Sequence, residues 1–394
     1  MKQVRQKILL GVTADVSIGL LGGFPGHLAT RGWDVHVVSS GGPRSEQLKS
    51  VPGVTVHEIA MRREPSPIHD LRALRSWVAL LREVRPDVLS VGTPKAGLLG
   101  GIAGVLTSVR SRFYMLRGLR YETTGGLRRL IFVNLERVSV LCAHRSIAVS
   151  HTLRDVAVAD RLGPAEKFCV VGSGSSNGVE ADRFETSDAE RVAAKAALWP
   201  DDPALPTVVF IGRIHPDKGL DLLADAADLL VERGVRGRLV IVGGSDDPTG
   251  AALEARLRGL EWDVAMPGAV SDVAPFLRAA DMLCLPTRRE GFPNVVLEAA
   301  AAGLPTVATL ATGVPDAVVD GTTGIVCSTR EPAPLAAALE SLIVDGDLRR
   351  RLGAAAHERV RAEFTNQVVW DSLEARYLLP ARSPGSGRTE SSDS

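Results

Sequence analysis

Residues 288–303 read RREGFPNVVLEAAAAG, with two carboxylates, Glu290 and Glu298, eight positions apart. Glu290 falls in a stretch broken by Gly291 and Pro293, whereas Glu298 falls in a run that is otherwise apolar. Asn294 is a suitable N-cap and Gly303 a suitable stop, so the pattern predicts a short helix over Val295–Ala302. Upstream, Asp281–Pro286 reads as a buried strand. Strand, loop and helix N-terminus, in that order, form the usual anion site of an open α/β sheet. A lone carboxylate on a helix of Val, Leu and Ala needs a partner if it is buried. A ribose diol supplies one, since two hydroxyls can donate to one carboxylate; a Glu298 turned to solvent needs none.

Working outward, strand and helix patterns alternate along the chain. The first half reads as strands over Lys7–Thr13, Trp33–Ser40, Val54–Ala60, Asp87–Thr93, Arg112–Leu116, Ser146–Ser150 and Lys167–Val171. Helices separate most of them, which implies right-handed crossovers and a parallel sheet. GSGSSNGVE at 172–180 is flexible in composition, and a polar, Pro-rich segment, Glu185–Pro206, comes after it. A boundary is expected there. The pattern then restarts with strands over Thr207–Gly212, Arg238–Gly243, Val264–Pro267, Asp281–Leu285, Pro305–Thr309 and Gly324–Cys327. The expected fold class is therefore α/β, with two Rossmann-like parallel-sheet domains facing across a cleft. The expected divisions are 1–178, 179–362, a helix over 363–380 packing back on the first domain, and a disordered tail over 381–394.

Composition narrows the function. At 394 residues and 45% hydrophobic content the chain can fill two cores. Lys+Arg and Asp+Glu are 46 each and aromatic content is 4%, so neither a basic surface nor a base-stacking platform for nucleic acid is indicated. Cys142, Cys169, Cys284 and Cys327 have no CxxC spacing and read as buried free thiols rather than a zinc site. The basic, apolar N-terminus reads better as the start of the strand Lys7–Thr13 than as a signal peptide, and no uncharged run approaches the roughly 20 residues of a membrane span. The chain is expected to be cytoplasmic.

The run TVVFIGRIHPDK at 207–218 is a buried strand ending in Gly212, followed by Arg213 and Lys218 on a loop entering a helix. Arg offers a bidentate fork to phosphate and Lys a point charge. Taken alone the two are either a phosphate clamp or incidental charges on a solvated loop; with the helix start near Asn294 they form a diphosphate clamp that needs no metal. Gly243 closes the next strand in the same way, and the chain around Val270 lies just past another strand, where backbone groups would read a flat base edge. His151 opens a helix and reads as a ligand contact or as a capped surface residue. Lys95 opens another, where it would greet an acceptor phosphate. Arg120, Arg128 and Arg129 cluster with Phe132 and neighbouring leucines, giving either an interfacial helix on an anionic membrane or a core helix with a charged outer side.

The pairing of Arg213 and Lys218 with the E-x7-E spacing of Glu290 and Glu298 resembles the retaining GT-B glycosyltransferases of family 4. The stretch GLPTVATLATGVPDAVVDGTTGIV at 303–326 is similar to the segment just C-terminal to that motif in the same family. The likeness is strongest over about 205–330, and TPKAG at 93–97 with GSGSSNG at 172–178 resembles the exopolysaccharide and lipid-linked oligosaccharide branch. It implies that Arg213 and Lys218 hold a nucleotide diphosphate, that Glu298 binds the ribose and that Glu290 binds the transferred sugar. Gly291, Phe292, Pro293, Asn294 and Val295 would touch sugar and phosphate, with Gly212 and Gly243 beside them and Val270 flanking the base. The donor would be a nucleotide sugar, UDP-linked by family frequency, and the acceptor a glycan or a polyprenyl-diphosphate-linked sugar at the inner leaflet of the cytoplasmic membrane. No metal and no other cofactor is expected. The chain departs from the family at Arg117-Gly118, where a His-Gly pair is common and its His contacts the donor sugar; on the residues alone Arg117 pairs with Glu122 or Glu136. A GT-B-fold sugar-nucleotide epimerase and a non-enzymatic two-domain binding protein are the alternatives.

Overall fold

A computed structural model describes residues 5–62, 66–245 and 248–379. The anticipated tail over 381–394 lies outside the described residues. The chain divides into two units, one of residues 1–149, 154–171 and 370–394, the other of 150–153 and 172–369.

Unit 1 carries strands β1 (Lys7–Ala14), β2 (Asp34–Ser40), β3 (Val54–Glu58), β4 (Val88–Gly92), β5 (Ser111–Leu116), β6 (Arg145–Ala148) and β7 (Phe168–Val170). They pair in parallel in the order β3-β2-β1-β4-β5-β6-β7. Such a sheet is covered on both faces, and β4 is accordingly buried along its whole length. Trp77, on the Pro67–Val84 helix, is fully buried against β1 and the Pro94–Leu106 helix. Small residues make room for its indole: a Cβ at Gly11 would stand 2.7 Å from the ring. Residues 370–379, from the Asn366–Leu378 helix, pack in this unit. Glu374 accepts from Trp33 Nε1 at 2.8 Å, and Tyr377 and Ser90 share a hydroxyl bond of 2.8 Å.

Unit 2 carries β8 (Thr207–Ile211), β9 (Arg238–Val242), β10 (Asp263–Gly268), β11 (Met282–Leu285), β12 (Thr306–Thr309) and β13 (Gly324–Cys327). All pair in parallel, in the order β10-β9-β8-β11-β12-β13. Successive side chains of a strand point to opposite faces, and this sheet has two cores in consequence. Val209, Val240 and Leu283 meet Val296 and Leu297 on one face. Val208, Phe210, Leu239 and Met282 meet Leu223 and Leu335 on the other.

Three parts of the sequence reading need correction. Glu185–Pro206 is not only a connector: Asp188–Leu198 is a helix, started by a reciprocal capping box between Ser187 and Glu190. Its Arg191 donates to the carbonyls of Ala280 (2.9 Å) and Ala302 (2.7 Å), both buried just past the C-terminal ends of helices. The Gly-rich 172–180 run is fixed at its end, where Val179 N donates to Phe364 O at 2.8 Å. Of the four thiols Cys284 and Cys327 are buried, but Cys142 and Cys169 are only half-buried; none is in a disulfide.

Candidate active site

In unit 2 the strand order reverses between β8 and β11, the place where doubly wound sheets bind ligands at their C-terminal edge. The loop after β8 runs from Gly212 to Gly219, which starts the Leu220–Glu232 helix. Position 219 demands glycine: its φ is 69°, and a Cβ would lie 1.8 Å from the Pro286 carbonyl oxygen. That close approach lays the loop after β8 directly on the loop after β11. Hydrogen bonds then tie the two. Arg288 N donates to Asp217 O at 2.8 Å, and the Arg288 guanidinium takes both Asp221 carboxylate oxygens (2.9 and 2.5 Å) and the Pro216 carbonyl.

This frame brings Lys218 and Glu290 together. Lys218 Nζ donates to Glu290 Oε1 at 2.6 Å, with side chains 20% and 14% exposed, and Thr287 Oγ1 stands 3.2 Å from the same oxygen. On the same loop the Asp217 side chain is buried. Burial pushes its carboxyl up, but a 2.5 Å bond from His215 Nδ1, the Lys218 charge and Arg289 Nη2 at 3.2 Å hold it below the usual carboxylate range. Arg213 stands 4.0 Å from Asp217 with its side chain 57% exposed, so its guanidinium is largely open. Asp217, His215, Thr287, Arg288 and Arg289 were not singled out from the sequence. The available signal was the His-x-Asp spacing at 215–217, which a turn and a site share.

The helix after β11 spans Asn294–Ala301 and begins one residue earlier than its pattern suggested. Asn294 is its first helical residue and not its cap; extended Pro293 takes the cap position, and no side chain caps the first turn. Those leading N–H groups are left for another acceptor. Gly303 ends the helix with φ 73°, as expected of a C-terminal glycine. Glu298 sits in the second turn, half-buried. Among the described residues its carboxylate has no hydrogen-bond or ion-pair partner, and burial pushes its pKa up to about 7 against the more distant positive charge of Arg183.

The remaining expected contacts sort by unit. In unit 2, Gly212 N donates to Val242 O and Gly243 N to Gly268 O, both at 2.9 Å, so the ends of β8, β9 and β10 stay aligned. Val270, just beyond, packs half-buried on the core. Phe292 packs on Phe364 at 5.4 Å, Pro293 is buried and Val295 half-buried; Ser150 Oγ donates to Gly291 O at 2.8 Å. His151 is exposed, and its backbone N–H donates to Asp316 Oδ1 at 2.6 Å.

In unit 1, Lys95 is buried and donates twice to Asp70, at 2.8 and 2.9 Å, so its charge is already matched. Arg117 lies just past β5 beside Gly92, and burial pushes its pKa down to about 10. The Glu136 carboxylate, on the neighbouring helix, takes the Tyr114 hydroxyl at 2.6 Å. Arg120 stacks over Phe132 at 4.8 Å and Arg129 over Tyr121 at 5.3 Å. On the Gly126–Cys142 helix, Leu127, Leu130 and Ile131 are exposed while Glu136 and Ser139 are buried. The exposed side of that helix thus mixes apolar residues with the basic Arg128 and Arg129. Among the described residues no helix is long and apolar enough to cross a membrane. A surface cavity of about 830 Å³ lies away from this edge, beside Arg191, Asp281, Gly303 and Arg349.

Two doubly wound parallel sheets, one with paired charged loops at its switch point, define the GT-B class. Residues 205–345 match the family described as glycosyl transferases group 1, and residues 26–174 match the glycosyl transferase 4-like domain. Over 374 residues, 94% of this chain and 97% of the relative, the sequence is 33% identical to the capsular polysaccharide biosynthesis glycosyltransferase CapM of Staphylococcus aureus. It is 38% identical over 250 residues to a D-inositol 3-phosphate glycosyltransferase of Streptomyces avermitilis, covering 59% of this chain but 50% of that relative. Among solved structures, Anabaena Alr3699/HepE in complex with UDP and glucose shares the fold with a TM-score of 0.78 at 21% identity, over 95% of this chain and 100% of that one. Sucrose-phosphate synthase from Thermosynechococcus elongatus shares it with a TM-score of 0.77 at 20% identity, over 95% and 98%. The chain belongs to the GT-B glycosyltransferases of the group 1 and 4-like type.

Proposed function

We propose that the protein is a retaining glycosyltransferase that moves a sugar from a UDP-sugar to a lipid-linked or glycan acceptor in cell-surface polysaccharide assembly. The observation that carries this reading is the Lys218–Glu290 contact at the β8/β11 switch point, with open Arg213 on the same loop. Arg213 and Lys218 bind the diphosphate, and the uncapped first turn of the Asn294–Ala301 helix adds backbone donors. Glu298 takes the two ribose hydroxyls, for which its unpartnered carboxylate is suited. The UDP complexes of Alr3699/HepE and the capsular role of CapM support the choice of nucleotide and pathway class.

In the reaction the bond from the anomeric carbon to the diphosphate oxygen breaks, and the electron pair leaves with UDP. Arg213, Lys218 and the helix N-terminus stabilise that developing charge, so that no metal is required for departure. The acceptor hydroxyl attacks from the face UDP leaves, and its proton passes to the departing phosphate oxygen. Glu290, tethered by Lys218, orients the sugar without attacking it.

The chain works at the inner face of the cytoplasmic membrane, supported by exposed Leu127, Leu130 and Ile131 beside Arg128 and Arg129. Arg120, Phe132, Arg117, Lys95 and His151 are the acceptor-side and membrane-side candidates. The test is transfer of radiolabel from UDP-sugars into a lipid extract: retained anomeric configuration in a lipid-soluble product supports the proposal. Release of a free epimer, or no transfer from any UDP-sugar, overturns it.

A further inference from the structure

The Phe24–Thr30 and Asn366–Leu378 helices meet in unit 1 around a histidine that the transfer reaction does not use. His27 is 7% exposed, and its Nε2 is buried without a hydrogen bond among the described residues. That nitrogen points between two carboxylates one turn apart on the C-terminal helix, standing 3.5 Å from Asp371 Oδ1 and 3.7 Å from Glu374 Oε2. The three ligand atoms lie within 4.8 Å of one another, the sole such grouping of His, Cys, Asp and Glu among the described residues.

The spacing suits a cation. Ligands about 2 Å from a tetrahedral ion stand roughly 3.3 Å apart, close to the two measured separations. The surroundings fix the ligands as metal sites require. Trp33 Nε1 holds Glu374 Oε1 at 2.8 Å, and Trp370 and Phe24 flank the imidazole with centroids 5.5 and 6.1 Å away. Arg31 Nε donates to Glu374 Oε2 at 3.1 Å, which leaves that oxygen one lone pair for a metal. Asp371 is 45% exposed and gives an ion a way in and a position for water.

We infer that His27 Nε2, Asp371 Oδ1 and Glu374 Oε2 bind a divalent transition-metal ion of the zinc type, which clamps the C-terminal helix onto the Phe24–Thr30 helix. The site is structural and independent of the donor site.

The test uses the full chain, treated with chelator and then titrated with Co2+ or Zn2+ alone. One equivalent of Co2+ should give visible d–d bands of a four-coordinate site, and Zn2+ should raise the Tm. His27→Gln should weaken binding at least tenfold and remove the bands. Asp371→Asn, at a half-exposed position that should not disturb folding, should weaken Zn2+ binding at least tenfold and cancel the Tm rise. Absence of the bands, or the same metal uptake and Tm rise in Asp371→Asn as in the unaltered chain, overturns the inference and leaves a His–carboxylate contact.

Discussion

Lys218 and Glu290 are 72 residues apart in sequence, yet Lys218 Nζ lies 2.6 Å from Glu290 Oε1. The contact exists because β8 and β11 are neighbours and Gly219 lets one loop rest on the other. In the proposed reaction the lysine serves two anions, steadying Glu290 and meeting the diphosphate.

Removing the lysine should therefore damage chemistry more than folding. Lys218→Ala should lower kcat/KM by on the order of 10²–10³-fold, the usual cost of one preorganised donor to a developing oxyanion. Its Tm should stay within a few degrees of the unaltered chain by calorimetry, because the pair is partly solvated. Near-normal turnover would remove Lys218 from the mechanism.

Glu298 should make nucleotide binding depend on pH. Burial holds its pKa near about 7, whereas hydroxyl donors from a ribose favour the charged carboxylate. UDP affinity should rise as pH climbs from 5.5 toward 7, by up to roughly tenfold per unit, and then level off. Glu298→Gln should weaken UDP binding and flatten that part of the profile in calorimetry, leaving only the nucleotide's own titration. An identical profile in the variant would refute the assignment.

The buried Glu136 makes a prediction about stability. Burial pushes its pKa up to about 7, outweighing the Tyr114 hydrogen bond that lowers it. Folded Glu136 then binds a proton between the unfolded value near 4.5 and about 7, so its ionisation lowers stability progressively across that window. The cost is complete above about 7 and on the order of 3 kcal/mol. Glu136→Gln should raise the denaturation midpoint at pH 8 and leave it nearly unchanged at pH 4. A variant equally stabilised or destabilised at both would contradict the cause given.

The basic, apolar outer side of the Gly126–Cys142 helix should bind anionic bilayers. Replacing Arg128 and Arg129 by Glu should release the protein from phosphatidylglycerol vesicles in co-sedimentation, with unchanged circular dichroism. Undiminished binding would place the membrane contact elsewhere or nowhere.

Much of the β8/β11 edge was legible because its signals are local. Glu298 stands out as the one charge in an apolar run, and Gly303 marks the helix end by its conformation alone. The unbroken apolar run Val208–Ile211 marked β8 directly. The features that escaped depend on partners distant in sequence or on competing local choices. Asn294 looked like a cap, but Pro293 before it took that position. The ion pair of Lys95 with Asp70, 25 residues apart in sequence, joins two helices, which no local pattern shows. The Gly126–Cys142 helix was ambiguous because both its sides are mixed: Glu136 and Ser139 are buried with Val133 and Val140, and Leu127, Leu130 and Ile131 are exposed with Arg128 and Arg129. The Ser187–Glu190 capping box was present in the sequence and was outweighed by the polar composition around it.

The most direct measurement is a crystal structure of the protein with UDP bound. Arg213 and Lys218 should lie within hydrogen-bond distance of the diphosphate oxygens, with both ribose hydroxyls on the Glu298 carboxylate. A nucleotide seated elsewhere, with Glu298 still unpartnered and Lys218 contacting only Glu290, would contradict the assignment of this edge as the donor site.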